Sequence, residues 1–169
     1  ENRLAADTTL GSTLHDLGQY VEAAKIHRET LAMRKQVFGP KHSDTLKTAM
    51  NLACALDGLG QYEEAAKIYR KTLAMKKQVL GPKHRDTLGT AMNLGGALVH
   101  LGKHEEAAKI YRETLAVQKQ VLGPKHPDTV ATAGKLCAVL KNSGQYVEAY
   151  VEAAKIHRET LAMRKQVFG

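Results

Sequence analysis

The sequence predicts an all-α solenoid of stacked helical hairpins, and three observations carry that prediction. A short turn recurs at steps of 42 residues: Gly18-Gln19-Tyr20, Gly60-Gln61-Tyr62, Gly102-Lys103-His104 and Gly144-Gln145-Tyr146. A second punctuation recurs at the same step: Gly39-Pro40-Lys41-His42, Gly81-Pro82-Lys83-His84 and Gly123-Pro124-Lys125-His126, each followed by Asp-Thr (Asp44-Thr45, Asp86-Thr87, Asp128-Thr129). Between these marks the apolar residues keep helical spacing, in a chain rich in the helix formers Leu, Ala, Lys and Glu.

Each unit reads as two helices, A and B. Helix A is expected over about 44–59, 86–101 and 128–143, with an incomplete forerunner near 4–17. Asp or its neighbour is expected to cap it, and Leu46, Ala49, Leu52, Ala53 and Leu56 form its apolar stripe. Helix B is expected over about 19–38, 61–80, 103–122 and 145–168, with Tyr62, Ala65, Ala66, Ile68, Tyr69, Leu73 and Val79 as apolar positions. Glycine at the A–B turn suits the left-handed residue that ends a helix, and Gly-Pro stops helix B because proline cannot continue the hydrogen-bond ladder. The result is eight helices in four hairpins, at about 1–39, 43–81, 85–123 and 127–169, in one domain spanning 1–169. Gly11, Ala53, Gly95 and Cys137 share one phase, where small side chains allow two helices to approach closely. A single hairpin cannot bury its own apolar face and must stack on the next.

Leu52-Ala53, Leu56, Gly60, Tyr62, Ala65, Tyr69 and Leu73 together resemble the tetratricopeptide repeat pattern. The position usually held by Trp is Ala49, Ala91 and Ala133 here, and the unit is longer than the common repeat of about 34 residues. The 42-residue unit with LGPKHPDT at the joint (residues 122–129) is similar to the kinesin light chain cargo-binding domain, and to repeat arrays of some STAND-type signalling ATPases. The resemblance covers roughly residues 4–169. It implies a right-handed superhelix whose concave face is lined by the A helices.

Carried onto this sequence, the resemblance puts Thr8, Thr9, Ser12, His15 and Asp16 inward in the first unit and Lys47, Met50, Asn51, Cys54 and Asp57 in the second. The third unit contributes Met92, Asn93 and His100, and the fourth Lys135 and Lys141. Asn51 and Asn93 occupy a position that in family members grips the backbone of an extended peptide, a role an amide suits because it both donates and accepts. In that phase the fourth unit holds Lys135 and the first Thr9, so the pattern is broken. Lys47, Lys135 and Lys141 would favour an acidic peptide, while Met50 and Met92 would add an adaptable apolar patch or act as packing filler.

Little else in the chain suggests chemistry. His42, His84 and His126 are one repeat apart, so loop stabilisation is expected rather than metal ligation. Glu63-Glu64 and Glu105-Glu106 begin B helices, where they suit the dipole and can pair with Lys67 or Lys109. No nucleophile–base pair is evident, so no enzyme activity and no cofactor are expected. The net charge of +8 favours anionic partners without naming one. The basic rows of helix B (Lys25, Arg28, Arg34, Lys35; Lys67, Arg70, Lys76, Lys77) read as a solvated face, with nucleic acid disfavoured as a partner. Two cysteines make no disulfide framework, and no apolar run is long enough to span a membrane, which together suggest a cytoplasmic setting.

The last unit departs from the period. YVEA is written twice, at 146–149 and 150–153, and Tyr150–Gly169 repeats Tyr20–Gly39 letter for letter. Four extra residues at about 100° each displace the apolar stripe by only about 40°, so either the helix starts one turn early or the first YVEA forms a bulged turn. Ile156, Leu161 and Val167 would keep an uncovered flank there. The function expected is a noncatalytic scaffold binding an extended peptide in the A-helix groove. The alternative is head-to-tail self-assembly into oligomers or filaments through Ile156, Leu161 and Val167.

Overall fold

A computed structural model describes residues 2–151, 153–155 and 158. Seven helices follow one another: α1 (Asn2–Asp16), α2 (Tyr20–Phe38), α3 (Ser43–Gly58), α4 (Tyr62–Val79), α5 (Arg85–His100), α6 (His104–Val121) and α7 (Pro127–Asn142). A further helix opens at 146–151. No strand occurs among the described residues. The A helices are α1, α3, α5 and α7, and α1 is a full helix rather than the incomplete forerunner expected. The chain divides into two compact units, 1–97 and 98–169, with the division inside α5.

The turns follow the sequence marks. Gly60 has φ 75°, a left-handed conformation that costs glycine little, and it bonds back to Asp57 O. Gly39 ends α2 with φ 84°, and Pro40 prevents the helix from resuming. The cap of the next helix differs from expectation. His42, not Asp44, is the N-cap of α3, and its Nδ1 accepts from Asp44 N at 3.3 Å. His84 accepts from Asp86 N at 3.1 Å and His126 from Asp128 N at 3.2 Å. The recurring histidines therefore satisfy donors that would otherwise be orphaned at a helix start.

In unit 1, α2 packs against both α1 and α3, and α3 against α4. Leu46, Leu52, Ala53, Leu56, Ala65, Ala66, Tyr69 and Leu73 form the core, as the spacing predicts, while Val79 is exposed. A Cβ added to Gly11 would come within 2.6 Å of the His27 ring, so α1 and α2 approach closely only because Gly11 has no side chain. In unit 2, α6 packs on α7, with Ala107, Tyr111, Leu115, Leu136 and Leu140 buried.

Two basic residues read as surface charges lie inside. Arg34 is 6% exposed. Its Nη1 donates to Asp44 O at 3.0 Å and Thr48 Oγ1 at 2.7 Å, and its Nη2 to Leu4 O at 3.2 Å, joining α1, α2 and α3. Lys76 is in the same phase one repeat on. It is buried, and its Nζ donates to Asp86 O at 3.3 Å. Burial lowers the Lys76 pKa against the pull of Asp86. A cation in the middle of a basic run looks solvated in the sequence. Here main-chain carbonyls at the start of the next helix provide the missing acceptors.

Candidate functional site

The A helices of unit 1 place the expected peptide-facing residues in one connected row. Asp-Thr-Leu-x-Thr opens α3 and α5, and the second threonine of each bonds back to the aspartate carbonyl (Thr48 to Asp44 O, 2.8 Å; Thr90 to Asp86 O, 2.7 Å). With Leu46, Ala49, Leu52 and Leu56 turned into the core, Lys47, Met50, Asn51 and Cys54 take the other side of α3.

Three contacts link this row across helices. Asn51 Nδ2 donates to Ser12 Oγ at 3.2 Å, from α3 to α1. Asn93 Nδ2 lies 3.8 Å from Cys54 Sγ, from α5 to α3. Thr90 Oγ1 lies 3.4 Å from Met50 Sδ. The two asparagines thus play equivalent parts: each reaches back to the residue in the phase of Ser12 and Cys54 on the preceding A helix. Lys47 and Asn93 are exposed, and Met50, Asn51, Cys54 and Met92 are half-buried. Ser12 is among the residues expected to face inward, whereas Thr90 is not, because its contact depends on how α3 and α5 lie together.

Cys54 also accepts from Tyr69 OH at 3.3 Å. Burial raises the thiol pKa, an effect the Tyr69 hydrogen bond opposes. A thiol held in its neutral form is a weak nucleophile, so Cys54 acts as a sulfur acceptor in the row. Burial likewise raises the Tyr69 pKa, with Cys54 and Asp57 adding to the effect.

Unit 2 holds the remaining expected residues. His100 and Lys135 are exposed, on α5 and α7. Lys141 is also exposed, near the end of α7, with its Nζ 5.8 Å from the centre of the Tyr150 ring, a cation–π contact. Ile156, Leu161 and Val167 lie outside the described residues.

The paired glutamates lie in the first turns of α4 and α6 as expected, but one of them has a different partner. Glu64 pairs with Arg28 on the preceding B helix at 2.9 Å instead of with Lys67 a turn ahead. Glu148 pairs with Arg112 at the same 36-residue offset. These are clasps between neighbouring B helices, and as exposed pairs each contributes about 0–1 kcal/mol.

The tetratricopeptide repeat model matches residues 2–78, and a second tetratricopeptide repeat model matches 87–128, together well over half of the chain. The chain belongs to the tetratricopeptide repeat family. Among solved structures, it is similar to a kinesin light chain-type protein of Podosopora anserina with nearly identical TPR-like repeats. The TM-score is 0.84 at 24% identity, over 91% of this chain and 73% of that one. It is also similar to BtubC (BKLC) from P. vanneervenii, with a TM-score of 0.84, 19% identity, and 95% and 64% of the two chains covered. The apo form of RapI matches with a TM-score of 0.80 at 15% identity, over 99% of this chain and 59% of RapI. A comparison with curated protein sequences finds no match. In fold, the 42-residue repeats are similar to the TPR-like repeats of the kinesin light chain-type structure. No helix among the described residues is long and apolar enough to cross a membrane.

Proposed function

We propose that this tetratricopeptide array is a noncatalytic protein-interaction scaffold, and that it holds an extended peptide segment along the A helices. The observation that carries this reading is the repeated asparagine contact, Asn51 to Ser12 and Asn93 to Cys54. Two amides one repeat apart are each held by one N–H at the preceding helix, so both are oriented before a ligand arrives. Preorganised amides lose less rotamer freedom on binding. Met50 and Met92 supply adaptable apolar area beside them, and the exposed Lys47 favours an acidic segment. In unit 2, Lys135 and Lys141 carry the same preference. The kinesin light chain and RapI likenesses support a scaffold role.

The test is the double substitution Asn51→Ala with Asn93→Ala, measured against a library of acidic and neutral peptides by fluorescence anisotropy. Loss of binding by about tenfold or more, with unchanged helical circular dichroism, is the expected result. Equal affinity for the same peptides rules out the amide row as the grip.

Self-association is the second reading, and one observation favours it. Leu10 is 51% exposed, although Leu52, Leu94 and Leu136 in the same phase are buried. Leu17, in the turn just past the end of α1, is exposed too. A helix from a second copy could cover this flank. Light scattering over a range of concentrations should show mass growth that Leu10→Lys abolishes. A constant monomer ends this reading and leaves the first intact.

A further inference from the structure

A second surface lies on the other side of α3, and the scaffold reading does not use it. The helices α2, α3 and α4 enclose a cleft of about 560 Å³, within the usual range for small-molecule sites. Its apolar lining includes Leu31, Leu46, Leu52, Ile68 and Met75. The Arg28–Glu64 clasp bridges the cleft between α2 and α4, with its charges matched.

Two turns further along the same helices the cations are not matched. The 36-residue offset that pairs Arg28 with Glu64 also relates Lys35 on α2 to Lys71 on α4, and both line the cleft. Lys67 joins them from α4. None of these three lysines has an ion pair among the described residues. Like charges on opposite rims repel, and the three lysines stand exposed at the mouth of the cleft. An anion between the rims lowers that repulsion, and an alkyl chain attached to it covers the apolar area that half-buried Ile68 and Met75 still show to water, above the buried Leu31 and Leu46.

We propose that this cleft binds a long-chain carboxylate, with its head between Lys35 and Lys71 and its chain along Leu31, Leu46 and Ile68 toward the clasp. A single-headed amphiphile suits the asymmetry of the cleft: the Arg28–Glu64 end is already neutralised, so net positive charge remains only on the lysines. Burial of each methylene strengthens binding about fourfold, so affinity rises with chain length until the cleft is full. The proposal is independent of the peptide-gripping row, which lies on the opposite side of α3.

The test uses dodecanoate below its micellar concentration, titrated into the full chain by calorimetry, with dodecanol and an acidic peptide as comparison ligands. The expected result is saturable 1:1 binding of dodecanoate, at least tenfold tighter than dodecanol and weakened at least tenfold by Lys35→Glu with Lys71→Glu. Methyl NMR shifts should be confined to Leu31, Leu46, Ile68 and Met75, a readout that needs no variant. The proposal is overturned if dodecanoate does not saturate, if dodecanol binds equally well, if the double variant binds unchanged, or if only the acidic peptide perturbs these methyls.

Discussion

The stretch YVEAA occurs at residues 20–24 and again at 150–154, and the two copies reach different environments. In α2, Ala23 is 0% exposed and Ala24 is buried. In the last hairpin, Ala153 and Ala154 are exposed, and the buried alanine is Ala149, from the YVEA that precedes the copy. Tyr20 packs edge-on against His15 at 5.1 Å, whereas Tyr150 is 65% exposed beneath Lys141. The turn decides which copy is used. Gly144 is left-handed, Gln145 N bonds to Leu140 O at 2.8 Å, and Ala149 N bonds to Gln145 O at 3.0 Å. Register is counted from that turn, so the first YVEA occupies the repeat's place and the helix begins one turn early. The bulged turn, the other possibility, is not formed. Val147, Tyr150 and Val151 are left exposed at spacings of three and four on the new helix.

The strongest way to break this comparison is to put a charge at the same letter of each copy. Ala23→Glu should cost about 3 kcal/mol or more, because an unpaired carboxylate enters the core, while Ala153→Glu should stay within about 0.5 kcal/mol. Urea denaturation of both variants checks it, and equal losses would mean that the copies share one environment. Glycines permit a similar contrast. Gly11→Ala should destabilise by about 1–3 kcal/mol through collision with His27, whereas Gly134→Ala, with open space at its Cβ in α7, should stabilise by about 0.5–1 kcal/mol. Thermal unfolding of the pair separates the two signs.

Deleting residues 150–153 would sharpen the comparison. Ala154 then follows Ala149, the letters regain the phase of α2, and exposed Tyr150 and Val151 disappear. A gain of about 1 kcal/mol is expected by calorimetry, and a loss would show that the extra turn is itself stabilising. The smallest effect concerns His27, which fills the place of Tyr69 and Tyr111. Burial, with repulsion from His15 second, holds its pKa below the ordinary value of about 6.5. The unfolded chain therefore binds the proton first as pH falls. Stability present above about pH 6.5 is lost below it and levels off beneath the folded-state pKa. His27→Tyr should flatten the difference in urea midpoint between pH 7.5 and pH 5, and an unchanged difference would place the titrating group elsewhere.

The sequence by itself determined the period, the helices, the turn glycines and nearly the whole core, because each follows from local rules repeated at 42-residue steps. It also placed Lys47, Met50, Asn51, Cys54, Met92 and Asn93 on one side of their helices, since helical phase fixes direction. Only the tertiary structure decided which of several similar residues found a partner. Asn51 meets Ser12, Glu64 chooses Arg28 over Lys67, and Arg34 and Lys76 pass inside to carbonyls that no letter in the sequence announces. The cleft beside Lys35 and Lys71 belongs to the same class, because it exists only where three helices come together. Phase is a property of one helix and can be read along the chain. A partner or a cavity is a property of several helices, and its residues come from positions about ten to forty apart.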